Sequence, residues 1–92
     1  PAGRGTWPAI WLLGDSSLGA WPNSGEIDIM EIVGYEEVKG LYRSHSTLHR
    51  NPNVGLWPNK WGTTGQGHSY YHNVPLSNDF HVWAMEWTPD TI

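Results

Sequence analysis

Glycine and proline break this chain at short intervals, with 11 of one and 7 of the other in 92 residues. No stretch between them shows a long run of apolar residues at helical spacing. The apolar runs are short, alternating and rich in Ile, Val, Trp and Tyr, the pattern of strands joined by turns. The expected fold class is all-β. A first strand is expected over residues 6–14, TWPAIWLLG, with Trp7, Ala9, Trp11 and Leu13 on one face and Ile10 and Leu12 on the other. Pro8 lacks a ladder donor, which suits an edge or a bulge. Residues 15–25 read as a loop, 26–33 as a second strand, 42–49 as a third and 51–67 as loop-rich. A last strand is expected over 79–87, DFHVWAMEW, closed by the turn signal TPD. Short strands of this kind suit a sandwich or barrel. Four or five of them leave open edges and an uncovered face, so the 92 residues alone are not expected to fold stably.

Charge and composition narrow the partners. Five Lys and Arg against nine Asp and Glu give a formal charge of -4, which argues against a nucleic-acid or anionic-membrane partner. No apolar run is long enough to span a membrane. With no cysteine, a disulfide scaffold and a thiol nucleophile are excluded. The opening PAGRGTW and the closing TPDTI read as cuts within a longer chain, so a missing signal peptide says nothing of localisation. Seven Trp exceed what a core of this size requires. Aromatic faces exposed in a groove stack on the C–H faces of sugars, so several of the seven are expected to line one.

The stretch GEIDIMEIVG, residues 25–34, sets Glu26, Asp28 and Glu31 among Ile27, Ile29, Met30, Ile32 and Val33. On a regular strand Glu26 and Asp28 share a face, while Glu31 points the other way, into the isoleucine side. One extra residue, a β-bulge around Ile29–Met30, restores the phase and puts all three carboxylates on one side. Ile27, Ile32 and one of Ile29 and Met30 then face the core. Glu26 and Glu31 would stand roughly 13 Å apart at Cα. Leaning together over Asp28, their carboxyls could approach the separation of about 5–5.5 Å that a retaining glycosidase uses. Asp28 between them would share a hydrogen bond and, by like-charge proximity, help keep the acid protonated. A metal site and a plain solvated strand face are the alternatives.

His45 and His49 are four apart, as are His68 and His72, but strand or loop context removes the helical chelate that such spacing would need. These histidines read as surface residues, except His49, expected to hydrogen-bond a sugar or a carboxylate. Glu36 and Glu37 read as a solvated loop pair, and Glu86 as a paired structural acid. No metal-binding residue is assigned.

The residues resemble those of glycoside hydrolase family 16. GEIDIME is similar to its E-x-D-x-(x)-E signature, in the expanded form of laminarinase-type endo-β-1,3-glucanases. GTWPAIWLLG (5–14) resembles the G-x-W-P-A-x-W block, WPNSGEIDIME (21–31) the Trp-Pro before the cluster, STLH (46–49) the T-x-H strand and DFHVWAMEWTPDTI (79–92) the closing block, with Trp83 where Tyr is common. The segment 35–51 has no clear counterpart in its middle. The resemblance implies an antiparallel β-sandwich of the jelly-roll, concanavalin-like kind, of which 1–92 would be about the middle third of a single catalytic domain, incomplete at both ends. It implies Glu26 as nucleophile, Glu31 as general acid/base and Asp28 as the assisting carboxylate. Trp7, Trp11, Trp21 and His49 become substrate-binding residues. The implied protein is a secreted, monomeric, endo-acting retaining hydrolase of β-1,3-glucan or mixed-linkage β-glucan. No cofactor is needed for catalysis; a structural calcium is possible in the full domain, with ligands outside this segment. The alternatives are a non-catalytic β-glucan-recognition protein on the same fold, or a hydrolase of agarose or carrageenan.

Overall fold

The computed structural model describes residues 2–51 and 65–92. Four strands form one antiparallel sheet in chain order: β1 (Ala9–Leu13), β2 (Glu26–Glu31), β3 (Arg43–His49) and β4 (Gly65–Tyr71). A short helix α1 (Gly34–Val38) joins β2 to β3, and single 3₁₀ turns lie at Ser16–Leu18 and Leu76–Asn78. Most of the expected loop at 51–67 falls outside the described residues.

β1 is an edge strand, as Pro8 suggested. The Pro8 carbonyl accepts from the Ile32 N–H at 3.0 Å, but proline has nothing to donate in return, so regular pairing starts at Ala9. At the other end the Gly14 N–H donates to the Gly25 carbonyl at 2.9 Å. A Cβ at Gly14 would sit 1.7 Å from the Ser24 carbonyl oxygen, so only glycine lets the β1–β2 connection close this tightly.

β2 is bulged where expected. Against β1, Ile10 pairs with Met30 and Trp11 with Asp28, which leaves Ile29 unopposed. Against β3, Asp28 pairs with Thr47 and Glu31 with His45, three steps on one strand against two on the other. Ser46 Oγ donates to the Ile29 carbonyl at 2.9 Å, so the acceptor at the irregularity stays satisfied. Met30 is buried and faces the Ile10 side.

Three elements differ from the sequence reading. α1 was expected as loop; it carries Glu36 and Glu37 in its first turn and ends at Gly40 (φ 79°). There the Leu41 N–H donates to the Glu36 carbonyl and the Gly40 N–H to that of Glu37, a Schellman closure. β4, GQGHSYY, has too few apolar residues to announce itself; its seven-residue register with β3 makes it a strand. The expected last strand at 79–87 is not one: the segment is irregular and joins none of the four strands, and Phe80 and Val82 project fully into solvent. Its alternation is suited to a partner strand that the described residues do not supply.

One face of the sheet carries Ile10, Leu12, Ile27, Met30 and Leu48. It is only partly covered: among the described residues, Met30 and Leu76 alone are buried hydrophobics. A cavity of about 480 Å³ lies on this side, lined by Ile27, Ile29, Leu48, Tyr70, Met85 and others.

Candidate active site

The carboxylate cluster sits on the other face of the sheet. Register fixes it there. Glu26 lies across from Leu13 of β1 and His49 of β3, Asp28 from Trp11 and Thr47, and Glu31 from Ala9 and His45. Directly opposed residues in antiparallel strands project to the same face. The bulge therefore gathers the three carboxylates and Trp11 on one side, and Glu31 does not enter the isoleucine face.

Side-chain bonds tie the other expected residues to the same cluster. Trp7, just before β1, donates its indole N–H to Glu31 Oε1 at 3.0 Å. Trp21, in the β1–β2 loop, donates its own to Glu26 Oε2. His49 Nε2 stands 3.0 Å from Asp28 Oδ2, and its ring lies 5.6 Å from that of Trp21. Trp7, Trp11 and Trp21 are all exposed, so their rings remain open to a ligand. All seven residues singled out in the sequence thus meet around one face.

The electrostatics follow from burial and crowding. Asp28 is 4% exposed, the one buried member of the three carboxylates. Burial, then the negative charges of Glu31 and Glu26, push its carboxyl up to about 6, while His49 pulls the other way. A hydrogen bond to Glu26 acts in the same upward direction. One atom each from Glu26, Asp28 and His49 lie within 4.8 Å of one another, so this trio could hold a metal ion. The same side chains also engage one another and Trp21: Asp28 Oδ2 pairs with His49 Nε2, and Trp21 donates to Glu26 Oε2.

A second polar cluster adjoins Glu31, and the sequence reading missed it. Glu36 is not a solvated loop residue: Arg43 donates to it through Nε at 2.6 Å and through Nη2, and His45 Nε2 lies 3.2 Å from Oε2. The Arg43 guanidinium holds the Glu36 carboxyl down to about 2. His45 Nδ1 in turn meets Ser69 Oγ at 2.9 Å. Glu37 is buried and accepts from the Ser77 N–H at 3.1 Å and from the Ser77 hydroxyl. Glu86, read as a paired acid, is exposed. Strand alternation back from His49 was the available signal for His45, since it puts Thr47 and His45 on the carboxylate face.

A family model described as an XgeA-like, catalytic GH16 domain matches residues 1–74. The chain belongs to glycoside hydrolase family 16. A GH16 chain of this length spans a third or less of the relatives it matches. It is 42% identical to a beta-glucanase of Rhodothermus marinus, over 100% of this chain and 30% of that protein. It is 36% identical to a beta-1,3-glucan-binding protein of Penaeus monodon, over 100% of this chain and 25% of that protein. The laminarinase catalytic domain of Thermotoga maritima superposes with a TM-score of 0.73 at 34% identity, covering 97% of this chain and 33% of the other. The GH16 fold class is an antiparallel β-sandwich of jelly-roll type, in which two sheets pack face to face, and the open apolar face of this sheet suits such packing.

Proposed function

We propose that this chain is part of the single catalytic domain of a secreted, endo-acting, retaining β-glucanase, with β-1,3-glucan as substrate. The observation that carries the proposal is the bulge in β2, which puts Glu26, Asp28 and Glu31 on one face beneath exposed tryptophans. Glu26 attacks the anomeric carbon. Glu31 gives a proton to the leaving glycosidic oxygen as that C–O bond breaks, then takes one from the water that releases the sugar from Glu26. Asp28, bonded to Glu26 and His49 and held near 6, shares its proton within the cluster and relieves the repulsion between the outer carboxylates. Trp7, Trp11 and Trp21 supply flat apolar surfaces for the sugar rings on either side of the cut. The polysaccharide is the partner, and neither the chemistry nor the cluster calls for a cofactor.

The linkage preference draws support from the expanded E-x-D-x-x-E spacing and from the laminarinase and beta-1,3-glucan-binding relatives. The binding relative also defines the second reading, a recognition protein without catalysis. Retention of both glutamates favours the hydrolase, since glutamate loss is what such a change of role entails. In the full domain, Glu26→Ala should abolish turnover of an aryl laminari-oligosaccharide. Azide should partly restore it by entering at the anomeric carbon from the side the nucleophile vacated, giving the α-glycosyl azide. Undiminished turnover in that variant would remove Glu26 from the mechanism.

A further inference from the structure

Each outer glutamate of the cluster accepts an indole N–H on one oxygen, and Glu26 is also bonded to Asp28. Trp7 Nε1 donates to Glu31 Oε1 at 3.0 Å, and Trp21 Nε1 donates to Glu26 Oε2. We propose that Trp7 and Trp21 are positioning residues, each tying back one carboxylate oxygen so that the other is presented to the sugar. The inference rests on the hydrolase reading above and goes beyond a stacking role for the two rings.

An indole nitrogen carries a single hydrogen and cannot accept one. The oxygen it faces is thereby held as an acceptor. On Glu31 this leaves Oε2 to carry the proton that passes to the glycosidic oxygen. On Glu26 it leaves Oε1 to form the bond to the anomeric carbon, while Oε2 becomes the ester carbonyl and still accepts the N–H. When water cleaves that ester and gives its proton to Glu31, both carboxyls return to their starting states. The two indoles come from opposite ends of the β1 hairpin arm, Trp7 before the strand and Trp21 in the loop after it. A single element thus reaches both ends of the carboxylate row. Both rings are exposed, so water could satisfy either N–H; the bonds to glutamate are not forced by burial.

An N–H aimed at a carboxylate favours its ionised form. The other groups facing Glu26 are Asp28 on its own strand and His49 on β3; those facing Glu31 are Asp28 and His45, with Glu36 and Arg43 behind His45. β1 brings no titratable group. None of these is altered by replacing an indole with a phenyl ring.

The test is Trp7→Phe and Trp21→Phe in the full domain, with kcat and KM on laminarin measured across pH. Phenylalanine keeps an apolar ring and lacks the N–H. Each variant should lose about ten-fold in kcat with KM held within about three-fold. A variant whose kcat is unchanged, or whose KM rises at unchanged kcat, overturns the assignment for that residue and leaves a stacking platform. Independently of folding of the variants, the indole N–H protons of Trp7 and Trp21 in the parent domain should exchange with water more slowly than that of an exposed indole bonded to solvent; exchange at the rate of a solvent-bonded indole overturns the proposal. A parent domain inactive on every β-glucan would overturn the hydrolase reading instead, and the exchange rates would still decide the contacts.

Discussion

Asp28 is the residue on which the site's charge balance turns. It is buried, bonded to His49, and flanked on its own strand by two glutamates on the same face. Its carboxyl is raised from 3.8 to about 6, so the folded state prefers the protonated form. Its ionisation therefore costs stability at higher pH: the penalty is absent below the unfolded value, builds between 3.8 and about 6, and is complete above that. Asp28→Asn removes the penalty. In thermal melts of the full domain, the variant's Tm relative to the parent should rise as pH increases through this window. A difference that is constant with pH would show that Asp28 is not held protonated. At this scale the sequence was most readable where spacing encodes geometry: E-x-D-x-x-E announces three carboxylates and a phase break. Glu36 and His45 were not readable in the same way. Glu36 gathers both Arg43 and His45 across a helix–strand junction, which no local pattern records.

At the scale of elements, the bulge in β2 is the device that makes the site. It leaves Ile29 unopposed by β1, and the Ser46 hydroxyl satisfies the Ile29 carbonyl at 2.9 Å. Ser46→Ala deletes that bond and should destabilise the full domain by about 1 kcal/mol, the usual cost of a lost intramolecular hydrogen bond. It should also lower kcat, because the phase of Glu31 depends on the irregular backbone. A denaturant midpoint and a kcat equal to the parent's would mean that the bulge needs no support from β3. The bulge itself was legible because a charge falling on an isoleucine face is costly enough to require one. β4 was not, because its stability comes from pairing with β3 rather than from its own glycine-containing sequence. The segment 79–87 shows the reverse: its alternation reads as a strand, but a strand needs a neighbour, and none of the described strands pairs with it.

On the scale of the whole molecule, the sheet has a carboxylate face and an apolar face, and the apolar face is only partly covered among the described residues. Ile10, Leu12, Phe80 and Val82 are exposed, and two hydrophobic residues alone are buried among those described. Such a layer cannot offset the entropy of ordering its own backbone. A circular dichroism melt of the 92 residues alone should show no cooperative transition, and a sharp one would mean that the single layer suffices. The apolar face thus argues for a second layer in the domain that carries the chain, while the carboxylate face argues for what that domain does. The most direct test of the latter is digestion of laminarin, mixed-linkage glucan, agarose and carrageenan by the full domain, with the anomeric configuration of the first products read by proton NMR. Laminarin should be cut internally, and the new reducing ends should appear first as the β anomer. Laminarin left intact while agarose is cut, or products that appear first as the α anomer, would overturn the retaining β-1,3-glucanase assignment.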